Sequence, residues 1–318
     1  MNKQLVTIAL AALASFVAVN WAPANGADVK HRFLAVDESR HQLVYVDQFD
    51  ASKHWTLKLP IKHRDIQLVG DNVVLLSSLE GFHEYNLKDR RMVKEVKGYP
   101  GTVSARRLPD GRTILVCNAP GVTLFELAPD GKVLRKSTFD VPTTRVVRMT
   151  PQGTVLFGSV NRVFEGDLDG KILRQHTLPK PVWAYHTVRL PGGNLLVSGG
   201  YDARMFEVNT AGKVVNAFGP KPSGPGKDLG LHLFAGFQVL KNGHIVISNW
   251  SGHGPQDSLK GVQIIEFDPQ GKVVWKWHDP EQAGSIDGLI VLDDLDTSVL
   301  NDDISSVLGP VTADSYQR

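Results

Sequence analysis

The chain has 318 residues, with 35 Lys and Arg against 33 Asp and Glu, 42% apolar residues and one cysteine. A near-neutral balance without a basic run argues against a nucleic-acid groove or an anionic-membrane surface, and one cysteine excludes an intramolecular disulfide. The length suits two ordinary domains or one large all-β domain.

The N-terminus reads as a secretory signal. Lys3 supplies a positive start, Leu5 to Val19 is a run of fifteen uncharged, mostly apolar residues, and Ala22-Pro23-Ala24 offers small residues at the positions a signal peptidase reads. The run is short for a membrane span of roughly 20 residues, so cleavage after Ala24 is expected. No later stretch is apolar enough to cross a bilayer, and export without disulfides suits a bacterial periplasm or exterior. Cys117, in Ile114-Leu115-Val116-Cys117, is expected on a buried strand.

Three strands come first, predicted over Arg32–Asp37, Gln42–Asp47 and Trp55–Leu59. Five four-strand units follow, from Asp65 to Tyr99, Thr102 to Phe139, Thr144 to Leu178, Trp183 to Phe218 and His232 to His278. Two alternating turn patterns define them. One is Leu108-Pro109-Asp110-Gly111, Thr150-Pro151-Gln152-Gly153, Leu190-Pro191-Gly192-Gly193 and Leu240-Lys241-Asn242-Gly243. The other contains Gly131-Lys132, Gly170-Lys171, Gly212-Lys213 and Gly271-Lys272. Glycine supplies the positive φ that such turns require. A period near 40 residues built from short strands predicts propeller blades.

A lone strand over Ser285–Leu292 remains. Joined to the three N-terminal strands it makes a sixth blade, with the C-terminal strand innermost, and hides an exposed edge. The prediction is an all-β, six-bladed β-propeller of four-stranded antiparallel blades over residues 25–294, after a signal at 1–24. In the extension 295–318, Leu295, Val299, Leu300, Ile304 and Val307 suggest a short helix packed outside the ring, with disorder from about Pro310.

In such a ring the blade-to-blade connections and the loops between second and third strands emerge on one face. The regular Gly turns fall on the other face, so variation and function are expected on the first. Two long connections belong there, residues 219–230 and 249–260, the second carrying Trp250 and His253. Entering the channel beside them are His63-Arg64, Ser104, Arg145, Tyr185-His186, His232 and Asp287. Arginine suits capture of carboxylate, sulfate or phosphate, and histidine suits proton transfer. Aromatic rings of Tyr99, Trp183, Tyr185, Tyr201 and Trp250 could stack on sugar or aryl groups, whereas Trp275 and Trp277 sit on an outermost strand as packing.

No metal is signalled. There is no His-x-x-x-His or Cys-x-x-Cys spacing, and Asp167-Leu168-Asp169-Gly170 coincides with a repeat turn. Neither a Gly-rich phosphate loop nor a Gly-x-Ser-x-Gly elbow exists, so no cofactor is expected.

The repeats resemble those of bacterial quinoprotein-like and NHL-like propellers. Gly271-Lys272-Val273-Val274-Trp275 is similar to a quinoprotein repeat ending, although quinoprotein dehydrogenases usually have eight blades and vicinal cysteines. His186-Thr187-Val188-Arg189-Leu190-Pro191-Gly192-Gly193-Asn194 is similar to a segment of arylsulfate sulfotransferases, periplasmic six-bladed propellers in which a histidine accepts the sulfuryl group. Thr187 replaces the Asp of that segment, so this resemblance implies the fold more than the reaction.

Three functions fit. The first is capture of a polar, anionic, saccharide-like or small organic ligand by Arg64, Ser104, Trp183, Tyr185, Tyr201, Trp250, His253 and Asp287. The second is an enzyme (group transfer, hydrolase or lyase) with His186 as nucleophile or base, and Arg145 and His232 stabilising charge. The third is a platform for a protein partner.

Overall fold

The computed structural model describes residues 29–118, 120–219 and 228–316; the expected signal segment lies outside them. β1 (Arg32–Asp37), β2 (Gln42–Asp47) and β3 (Trp55–Lys58) come first. Blade I is β4 (His63–Gly70), β5 (Val73–Ser78), β6 (Gly81–Asn86) and β7 (Met92–Lys97). Blade II is β8 (Thr102–Arg107), β9 (Thr113–Asn118), β10 (Val122–Leu127) and β11 (Val133–Phe139). Blade III is β12 (Val147–Met149), β13 (Val155–Ser159), β14 (Arg162–Gly166) and β15 (Ile172–Thr177). Blade IV is β16 (Thr187–Arg189), β17 (Leu195–Ser198), β18 (Met205–Val208) and β19 (Val214–Phe218). Blade V is β20 (Leu233–Val239), β21 (Ile245–Trp250), β22 (Ile264–Phe267) and β23 (Val273–Trp277). β24 (Ile286–Val291) then pairs with β1, giving blade VI the order β24-β1-β2-β3. The chain is therefore a six-bladed propeller, closed by its C-terminal inner strand as the strand count requires.

Burial falls outward along each blade. β20 and β24 are buried throughout, whereas β7 and β15 expose most of their residues. The apolar clusters lie between blades. Val116, Phe139 and Phe157 join blades II and III, and Phe33, Val246 and Trp277 join V to VI. Leu34, Ile66 and Leu76 join VI to I, so the ring is continuous across its closure. The repeat turns have the predicted chemistry: Gly111, Gly153, Gly193 and Gly243 all sit at positive φ, and each N–H returns to the carbonyl three residues earlier. Cys117 is buried on β9, bonded to the Thr102 hydroxyl at 3.3 Å.

The C-terminal extension differs from expectation. Residues 295–307 form no helix, and the tail does not lie outside the ring. β25 (Asn301–Asp302) pairs with β26 (Gly309–Pro310) in a small hairpin seated in the second-face end of the channel. Leu300 bridges Val69 of blade I, and Val307 bridges Val239 of blade V. Ile304 enters the core of blades II and III, and Leu308 that of blades VI and I. Sequence chemistry accounts for this. Asn301, Asp302 and Asp303 compete locally for backbone groups, Ser306 adopts φ 78°, and Gly309-Pro310 breaks any helix. A short 3-10 turn over Ala313–Ser315, capped by Thr312, ends the described chain.

Candidate functional site: a charged funnel above a plugged channel

On the first face, a funnel of about 50 Å³ is lined by Glu38, Arg64, Arg145, Tyr185, Tyr201, Leu233, Trp250, His253 and Asp287. Seven of the eleven residues given a role in capture or catalysis from sequence meet there. The other four lie elsewhere. Ser104 is deeper in the channel, bonded to Asp65 at 2.5 Å. Trp183 stands behind Tyr201, with ring centroids 6.4 Å apart and edge-on. His232 lies behind Trp250, its Nδ1 3.2 Å from the Trp250 carbonyl. His186 is fully buried beneath the funnel.

Glu38 is the organising residue that sequence reasoning missed. Its Oε2 accepts from Trp250 Nε1 and His253 Nδ1, both at 3.0 Å. Its Oε1 faces Lys62 at 3.5 Å and Arg64 at 3.6 Å. Burial opposes the charged form, but the Trp250 bond and the Arg64 charge outweigh it and hold the carboxyl below the usual range. Glu38 follows β1. Because β1 is the second strand of blade VI, the β1–β2 loop is a two–three loop, and closure sends it to the first face.

Arg64 also faces Asp287 at 3.7 Å. The Tyr185 hydroxyl donates to the other Asp287 oxygen, and both groups are buried. Burial raises the Asp287 pKa against the pull of Arg64, and raises that of Tyr185 with the help of Asp287. Arg145 is different: among the described residues it makes no hydrogen bond and no ion pair within 4 Å. The funnel thus presents a guanidinium without a direct partner among the described residues, beside aromatic rings and within electrostatic reach of Asp287, while Glu38 Oε1 is buried without a hydrogen-bond partner.

The long connections support this wall. Residues 220–227 of the first lie outside the described residues. Its end meets the second: Val262 N–H donates to Leu229 O at 2.9 Å, and Asn249 Nδ2 to Gly230 O at 3.2 Å.

Below the funnel the channel is filled with charge. Arg148 grips Asp65 with both terminal nitrogens, at 2.9 and 3.0 Å, and Asp303 of the tail with Nε at 2.8 Å. Arg106 donates to Asp302 at 2.5 Å. Burial opposes ionisation of Arg148, but Asp303 and Asp65 more than compensate and raise its pKa. Burial likewise opposes charge on Asp303, while Arg148 drives its pKa well below the usual range. Burial and Asp303 push Asp302 up to about 6 despite Arg106. Three carboxylates against two arginines leave one negative charge in excess, and Asp302 is the acid whose proton uptake below about pH 6 relieves it.

His186 borders this network. Its Nδ1 accepts from the Phe237 N–H at 3.1 Å, which puts the neutral ring's proton on Nε2, 3.5 Å from Asp303. Burial, then Arg148, lowers its pKa to about 4. Its proton therefore faces the plug, and it shares no cavity with Arg145 and His232. Among the described residues no cluster of His, Cys, Asp and Glu could hold a metal ion, and no helix is long and apolar enough to cross a membrane.

No family model and no curated protein matches the chain. Solved structures match by fold. A protein of unknown function from Bacteroides caccae aligns at TM-score 0.68 and 22% identity, covering 82% of this chain and 98% of that one. Virginiamycin B lyase of Staphylococcus aureus, solved with quinupristin, aligns at 0.55 and 11%, covering 78% and 84%. Regucalcin, a calcium-binding protein of Agrobacterium tumefaciens, aligns at 0.52 and 13%, covering 79% and 93%. At these identities the chain shares with them the propeller fold alone.

Proposed function

We propose that this is an exported propeller that binds the anionic end of a small polar, saccharide-like ligand in the first-face funnel. The observation that carries the reading is Arg145, a guanidinium in a partly apolar cavity with no carboxylate at pairing distance among the described residues. A carboxylate or sulfate entering the funnel would gain a bidentate partner there, with Trp250 and Tyr201 beside it for the ring. The cavity is small against the roughly 300–1,000 Å³ of ligand sites that enclose a whole molecule, so it would receive one charged group, with the ring resting at its mouth. Export rests on the N-terminal sequence.

The larger cavity, about 700 Å³ on the second face beside Met149 and Tyr316, is the weaker candidate. Its arginines are already engaged, Arg112 with Glu126 and Asp110, and Arg135 with Glu126 and Asp169. Catalysis by His186 with Arg145 and His232 has no shared cavity to support it.

A thermal-shift screen with sulfated, uronic and neutral sugars at millimolar concentration tests the reading. Charged sugars should raise the unfolding midpoint and neutral ones should not. No shift with any of them would sink it.

A further inference from the structure

The lower channel carries a second arrangement that the funnel does not use. Arg106 and Arg148 come from the inner strands of neighbouring blades and are almost wholly buried. The ring itself offers them one carboxylate: Asp65 pairs with Arg148 at 2.9 Å and lies 3.8 Å from Arg106. The remaining charge comes from the tail, through Asp302 on Arg106 and Asp303 on Arg148. Hydrogen bonding around the tail is incomplete. Arg106 Nε, His186 Nε2, Asn301 Oδ1, Asp303 Oδ1 and Ser306 Oγ are buried without a hydrogen-bond partner among the described residues. Buried polar groups are usually satisfied. The tail thus brings two carboxylates to a ring surplus of one positive charge, and leaves donors and acceptors spare on both sides.

We propose that the lower channel is a built anion site for paired carboxylates, with this chain's own Asp302–Asp303 as its tethered occupant. The same two guanidiniums would accept a free dicarboxylate once the tail's acids are gone. Two arginines about one shared carboxylate give the ring a surplus positive charge where it cannot be hydrated, and an anion from any source relieves it. The tail wins in the intact chain because its attachment at β24 gives it a high effective concentration.

The test uses the full chain, with Asp302→Ala/Asp303→Ala beside the wild type, and malonate as the probe against chloride at matched ionic strength. The double variant should unfold several degrees lower. Malonate should restore part of that loss in a saturable way, while the wild type responds no more to malonate than to chloride. Restoration equal to chloride's, or an equal malonate response in the wild type, would overturn the proposal. If the double variant does not fold, Asp302→Asn, which keeps an acceptor for Arg106 and removes the charge, serves instead. Malonate should then speed proteolytic cleavage of its tail several-fold over chloride, and an unchanged rate would be the contrary result.

Discussion

His186 stands directly after Tyr185 and yet does different work. Tyr185 reaches the funnel and bonds Asp287, while His186 turns below it, held by the Phe237 N–H. A consequence for pH follows. An unfolded histidine titrates near 6.5 and His186 in the fold near 4. Between those values the unfolded chain binds the proton and the folded chain does not, so stability falls as pH drops through that window, by roughly 3 kcal/mol. His63, lowered to about 3 chiefly by burial and then by His83, acts in the same direction. Asp302, raised to about 6, opposes them by favouring the fold as pH falls below 6. His186→Asn keeps an acceptor for Phe237 and removes the titration. Its unfolding midpoint should vary less between pH 4 and 6.5 than that of the wild type, and parallel profiles would refute the assignment. Sequence reasoning could place His186 at an inner strand but not choose its side. The neighbouring connection has no pairing pattern to fix alternation, and β16 is only three residues long.

At the scale of elements, strands and turns were the legible part. β1 and β2 match their expected limits, β3 ends one residue early and β24 is one residue shorter at each end, and glycine turns with fixed φ punctuate the blades between them at regular intervals. Inner-strand irregularities were not legible. β4, β8 and β20 each slip register near their first-face ends, between His63 and Ile66, Thr102 and Ser104, and Phe234 and Phe237. Such bulges re-aim side chains next to a site, and Ser104 points down the channel as a result. Contact between the two long connections makes a separate prediction. A Cβ on Gly230 would lie 1.9 Å from Lys260 O, at a φ of +61°. Gly230→Ala should therefore cost about 1–3 kcal/mol and expose the 249–260 loop to protease. An unchanged midpoint with unchanged cleavage would show that this contact does not brace the funnel wall.

For the molecule as a whole, six blades close on one shared blade, and the tail then closes the channel from the second face. The first closure could be counted from strands. The second could not, because residues 295–316 follow no repeat, and their role depends on Arg106 and Arg148 brought near by the ring. With the far end plugged, the proposed ligand can enter and leave only through the funnel, beside Arg145. Titration calorimetry of the most stabilising charged sugar, on wild type and Arg145→Gln, is the direct test. Because Arg145 makes no hydrogen bond or ion pair among the described residues and acts on Asp287 only through its field, the variant should unfold close to the wild-type midpoint but bind at least about tenfold more weakly, a loss of about 1.4 kcal/mol. Equal affinity in the two proteins would contradict the account.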